Sequence, residues 1–218
     1  MKRVLSKDNY KHHILNDNVF GIDPVDGTSQ FANDLYEWSV SIGHMHNIEH
    51  LAGAIYAPDI KDGLLVFCAR GAGTYEVLEN KKPKKVHVSK NKEDRKKLIF
   101  YGPDIAFMPE FNKFVNMLGQ KCRTTNMVGS CALGMALVAT GRIDGFFNPT
   151  QRVWDWFAGY PLIEEAGGVV KFYRIHDSKI IPVEKPLIDD YNQESKNLGF
   201  FAGNKETAEK YFSMLVEL

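Results

Sequence analysis

The order of apolar and polar side chains predicts two unlike halves. From Trp38 to Ile42 apolar and polar residues alternate, the two-residue period of a strand with one solvated face. Leu51 to Ala57 is apolar enough to lie beside it. Gly63 to Ala69 and Gly73 to Val77 read as further strands, joined by the small-residue turn Arg70-Gly71-Ala72-Gly73. The first half, residues 1–125, therefore reads as a mixed or antiparallel sheet.

In the second half, residues 126–218, the period lengthens. Ser130 is placed to cap a helix through Cys131 to Thr140, with Gly129 easing the entry and Gly141 stopping it. Ile143 to Phe147 reads as a short strand, Trp154 to Ala166 as a helix ended by Gly167-Gly168, and Val169 to Tyr173 as a strand. His176 to Lys196 carries Pro182, Pro186 and Asp189-Asp190 and reads as an exposed excursion. Leu198 to Ala202 is a buried-strand candidate, followed by a helix from about Lys205 to Leu218. Alternating strand and helix predict an α/β half.

Composition narrows the function classes. With 218 residues, 44% of them hydrophobic, the chain can bury a substantial core. Lys plus Arg and Asp plus Glu are 27 each, so no global charge marks a nucleic-acid or anionic-membrane partner. The basic stretch from Lys81 to Lys97 is interrupted by Pro83 and Glu93 and reads as a solvated loop. Three widely spaced cysteines, Cys68, Cys122 and Cys131, without a secretory signal at Met1 to Tyr10, are a reducing-compartment pattern. No run approaches the ~18 apolar residues of a membrane span. The expectation is a cytoplasmic protein.

The candidate chemistry lies in Asp23-Pro24-Val25-Asp26-Gly27-Thr28. Pro24 fixes its own φ and holds Asp23 extended, so two acids are presented from a stiff turn. Gly27 lets a ligand approach the main chain closely. Hard oxygen ligands on a rigid frame suit Mg²⁺. Taken alone, the motif is also a common surface-turn composition. Trp154-Asp155 likewise suits a helix start, because Asp is a preferred cap. His44, His46 and His50 raise zinc as an alternative, but the alternate spacing of His44 and His46 reads as a solvated strand face. Gly71-Ala72-Gly73 lacks a phosphate-loop Lys, and Cys131 lies in an apolar helix.

Two motifs together carry a family resemblance. Phe20-Gly21-Ile22-Asp23-Pro24-Val25-Asp26-Gly27-Thr28-Ser29-Gln30-Phe31 resembles the first signature of the inositol monophosphatase family, and Val153-Trp154-Asp155 through Glu165-Ala166-Gly167-Gly168 resembles the second. Gly129 to Leu133 and Val138 to Asp144 look like the helix and strand that join them. The resemblance implies a layered α/β, sugar-phosphatase-like fold with alternating helices and sheets. It implies two or three Mg²⁺ held by Asp23, the Val25 carbonyl, Asp26 and Asp155, with Asp23 and Thr28 as catalytic residues. Gly27 and Thr28 would bind phosphate. Gly129, Ser130 and Cys131, at a helix start, and Asn148 would complete the phosphate and substrate site. A homodimer acting on a small phosphate monoester is implied as well.

Departures qualify that expectation. Only 22 residues precede Asp23, fewer than the family carries, which reads as a shortened N-terminus. Lys7 falls where the family has a metal-binding Glu, leaving Asp8 as the substitute ligand; an ammonium opposes a cation. Asn148 replaces a Glu that binds a sugar hydroxyl in inositol-specific members, so histidinol phosphate or another polyol phosphate is as open as inositol phosphate. Pro161 interrupts the second-motif helix, at ~3 kcal/mol unless a kink is built in. The competing expectation is a catalytically impaired relative that serves as a metal-binding, phosphate-binding or interaction module.

Overall fold

Six strands follow one another as antiparallel neighbours: β1 (Asn18–Asp26), β2 (Ser39–His46), β3 (Glu49–Ala57), β4 (Leu64–Ala69), β5 (Gly73–Leu78) and β6 (Lys84–Val86). The computed structural model describes residues 10–61, 63–78, 81–103, 109–177, 179–192 and 198–218. Lys7 and Asp8 lie outside the described residues. A second six-stranded sheet has the order β11-β10-β12-β9-β7-β8, from β7 (Leu98–Tyr101), β8 (Thr124–Met127), β9 (Gly145–Gln151), β10 (Val169–His176), β11 (Lys179–Val183) and β12 (Leu198–Gly203). Here β7 runs parallel to β8 and β9, and the remaining pairs are antiparallel. The chain passes between the sheets after Val86 and before Leu98, so β7, which precedes residue 126, and β8, which straddles it, both belong to the second sheet.

Between the sheets lie α4 (Cys131–Ala139) and α6 (Gly159–Glu165), preceded by the single turn α5 (Val153–Trp156). All but one of the nine residues of α4 are buried, as expected of a helix that is apolar all round and covered on both sides. On the far side of the second sheet, α3 (Pro109–Lys121) and α7 (Lys205–Val216) cover a second core around Phe114, Phe147, Phe201 and Tyr211. The layers therefore run sheet, helices, sheet, helices. Two short helices flank the first sheet, α1 (Tyr10–Asn16) before β1 and α2 (Thr28–Ala32) after it. Phe20, Ile22, Ile42 and Tyr56 on its outer face are exposed.

The expected strands of both halves and the helix at Cys131 are present, with Ser130 capping α4 by accepting from Leu133 N–H. Three expectations change. The helix read from Trp154 to Ala166 is two helices, α5 and α6, separated at Phe157-Ala158. Pro161 then falls in the first turn of α6, where its missing N–H has no intrahelical acceptor to lose. The expected cost disappears. The excursion from His176 is partly ordered, since β11 pairs with β10 and a 3₁₀ turn at Ile188–Tyr191 buries Asp190 and Tyr191.

One contact sets how closely the central helices approach the first sheet. Gly21, Gly43 and Gly53 pair across β1, β2 and β3, which makes a row without side chains. Phe157 and Ala158 occupy it. A Cβ on Gly43 would come within 2.3 Å of Phe157 Cδ1, and one on Gly53 within 2.3 Å of the Ala158 carbonyl oxygen. Because the second obstacle is backbone, Gly53→Ala is expected to destabilise by about 1–3 kcal/mol through overpacking. The check is a lower urea midpoint with an unchanged slope; an unaltered midpoint would show that the row imposes no close approach.

Candidate metal and phosphate site

Residues three apart in a regular strand face opposite sides, so Asp23 and Asp26 need an irregularity to act together. The strand supplies one. Asp23 pairs with Ser41 and Asp26 with Ser39, so two residues, Pro24 and Val25, stand opposite Val40 alone. This bulge returns Asp26 to the inner face. A proline is tolerated there because β1 is an edge strand and Pro24 has no N–H to place in the ladder. Val25 N–H donates to Asp23 Oδ1 at 3.0 Å, and the Thr28 hydroxyl donates to the Val25 carbonyl at 3.0 Å. Gly27 sits at φ 88°, the left-handed region, with Glu37 O 2.7 Å from where a Cβ would stand.

The third acid arrives from α5. Asp155 is the third residue of that turn and accepts the Arg152 backbone N–H at 3.0 Å, one arm of a capping box. Seating of Phe157 and Ala158 in the glycine row brings α5 against β1. Asp23, Asp26 and Asp155 then each offer an oxygen within 4.8 Å of the others. They are the one such group of three or more potential ligands among the described residues.

Asp26 also ties the cluster to α4. Its Oδ2 accepts from the Ser130 hydroxyl and from Ala132 N–H, both at 2.6 Å. Ser130 spends its only proton on Asp26, so the Ser39 hydroxyl donates to Ser130 Oγ at 3.0 Å and Leu133 N–H donates to the same oxygen. The positive end of α4 is thus aimed at a buried carboxylate. Ser130 and Cys131 are buried, and Gly129 donates its N–H to Glu37 Oε2 at 3.1 Å.

Burial and mutual repulsion oppose three anions. Burial, joined by the neighbouring charges of Asp26 and Asp23, pushes Asp155 up to about 8. Burial pushes Asp26 up to about 6 against the opposing bonds from Ser130 and α4. A divalent cation would remove the same repulsion that protons now relieve. The set offers only hard oxygen donors, matches what Mg²⁺ selects, and so fits that ion.

An open cleft of about 360 Å³ adjoins the acids, lined by Gly27, Thr28, Ser29, Gln30, Pro103, Gly129, Thr150, Gln151, Arg152 and Asp155. The residues expected from sequence divide here. Thr28, Gly27, Gly129 and Asp155 face the cleft, whereas Asn148 is fully buried beneath Gly102, where a Cβ would stand 2.2 Å from Asn148 Nδ2. Neither amide atom of Asn148 has a protein partner among the described residues. Six lining residues were not singled out from sequence. Ser29 and Gln30 lie within the first motif and Gln151 and Arg152 immediately precede the second, and that adjacency is the available signal.

The raised values fix a sign. A folded state that keeps protons the unfolded chain has lost becomes less stable as pH rises through the folded values. His50, which burial pushes down to about 4, has the opposite effect below about pH 6.5, so the clean window is pH 6.5 to 8. In EDTA the thermal midpoint is expected to fall across that window, and Asp155→Asn to flatten most of the slope. Circular dichroism melts provide the check. A wild-type midpoint that rises from pH 6.5 to 8 would contradict the assignment.

A family model described as the inositol monophosphatase family matches residues 3–198. The fructose-1,6-bisphosphatase/inositol-1-monophosphatase of Thermotoga maritima is 30% identical over 154 residues, covering 71% of this chain and 56% of that protein. Nus factor SuhB of Xylella fastidiosa is 32% identical over 202 residues, covering 89% of this chain and 66% of that protein. The solved inositol monophosphatase of Anabaena (Nostoc) superposes with a TM-score of 0.73 at 29% identity, covering 94% of this chain and 73% of that one. The chain thus spans little more than half to two thirds of the length of these two curated relatives.

Proposed function

The chain belongs to the inositol monophosphatase family, and from that premise we propose that it is a Mg²⁺-dependent phosphatase of a small phosphate monoester. The observation that carries the reading is the convergence of Asp23 and Asp26 with Asp155, more than a hundred residues away, to within 4.8 Å beside a polar cleft.

In this reading Asp23, Asp26 and Asp155, with the Val25 carbonyl, hold the cation. Bound Mg²⁺ would neutralise phosphoryl oxygens and make an attacking water more acidic. Gly27 and Thr28 present the first N–H groups of α2, which lack intrahelical acceptors, to the phosphate. Thr28 offers its hydroxyl beside the Val25 carbonyl, in a position to orient the water. Ser130 and Ala132 hold Asp26 in one rotamer, so one of its oxygens stays turned to the cluster.

The cleft wall favours a hydroxyl-rich leaving group. Ser29, Gln30, Thr150 and Gln151 offer hydroxyls and amides, with Arg152 adding a cation. Inositol phosphates, histidinol phosphate and other polyol phosphates are the class that matches.

The test is phosphate release from inositol 1-phosphate, histidinol phosphate, fructose 1,6-bisphosphate and 3′-phosphoadenosine 5′-phosphate, with Mg²⁺ and with EDTA. Release that needs Mg²⁺ and falls about 100-fold or more in Asp26→Asn is expected. Full turnover by that variant would sink the assignment, and no release from any substrate would leave the non-catalytic binding module as the better reading.

A further inference from the structure

His50 lies at the start of β3, outside both motifs, yet the fold spends a second bulge on it. His44 pairs with Ala52 and Met45 with His50, so Leu51 is an extra residue in β3. Without it His50 would share the outer face with Ala52 and Tyr56. With it His50 stands beside buried Met45 and faces the helices.

There the imidazole meets the segment that carries Asp155. His50 Nδ1 is 3.1 Å from the Phe157 carbonyl oxygen, and Nε2 is 3.1 Å from the Tyr191 hydroxyl. A carbonyl can only accept, so Nδ1 carries the proton and Nε2 accepts from the Tyr191 hydroxyl. The tautomer is fixed by its partners. Rings of Phe157 at 4.7 Å and Tyr160 at 5.1 Å hold the imidazole in place.

Tyr191 is anchored in turn. It closes the 3₁₀ turn whose Asp190 accepts two bonds from Arg174 Nη2, at 2.8 and 2.6 Å, and one from Leu187 N–H at 2.6 Å. Arg174 belongs to β10 of the second sheet. A continuous set of bonds therefore runs from the second sheet through Tyr191 and His50 to the carbonyl two residues after Asp155. A single-turn helix such as α5 has almost no internal ladder to hold its own geometry.

We propose that His50 and Tyr191 are positioning residues for Asp155, fixing α5 through the Phe157 carbonyl so that the third carboxylate meets the other two. This rests on the metal-site reading above. Mg²⁺ affinity, measured by isothermal titration calorimetry on the full chain, is the readout, alongside thermal midpoints in EDTA.

His50→Leu is expected to weaken Mg²⁺ binding about tenfold, and His50→Asn, which keeps a donor at the δ position, to restore most of it. Tyr191→Phe, which removes one oxygen, is expected to fall between. Lowered midpoints with wild-type Mg²⁺ affinity would overturn the proposal, as would His50→Asn binding no better than His50→Leu. If His50→Leu does not fold, Tyr191→Phe decides: weaker binding supports the proposal and unchanged binding overturns it. Failure of the wild-type protein to bind Mg²⁺ would instead remove the metal-site reading, and this inference with it.

Discussion

The closeness of Phe157-Ala158 to the first sheet is the constraint on which the site depends. Side chains normally act as the spacer between packed layers, which for facing sheets stand about 10 Å apart. A row of three glycines removes that spacer along one line across β1, β2 and β3. Main chain can then sit against main chain, and the turn that precedes it delivers Asp155 to the end of β1. Elsewhere the first sheet contributes side chains to the core, among them Met45, Ile55 and Val66.

Once the acids meet, electrostatics decides what the cluster can be. Burial raises the cost of every charge, and each carboxylate raises it for the others. Local bonds from Ser130, Ala132 and Arg152 favour the anions but do not outweigh burial, since both shifts remain upward. Protons or a cation must make up the difference. A cation bound at such a site would compete with protons, so its affinity would increase with pH.

The two bulges share a logic. Each inserts one residue into a strand and so turns one polar side chain from the outer face to the inner one, Asp26 in β1 and His50 in β3. Both re-aimed groups then act on the central helices, Asp26 at the start of α4 and His50 at the end of α5. A meander whose strands otherwise only carry a core becomes a frame that holds helix ends at fixed positions.

Much of this was legible in the chain. Alternating polarity marked β2 and its neighbours, Ser130 and Gly141 bounded α4, and two motifs named the three acids. Local chemistry suffices for such features, because capping, turn formation and strand period depend on residues a few positions apart. What the tertiary structure alone decided involves distance through space. The break between α5 and α6, the glycine row that receives it, the inward turn of His50 and the enclosure of Asn148 depend on which segments pack together. The bulge at Leu51 leaves no distinctive local sequence, and a glycine kept for close approach looks the same as one kept for a turn. Only the packed layers tell them apart.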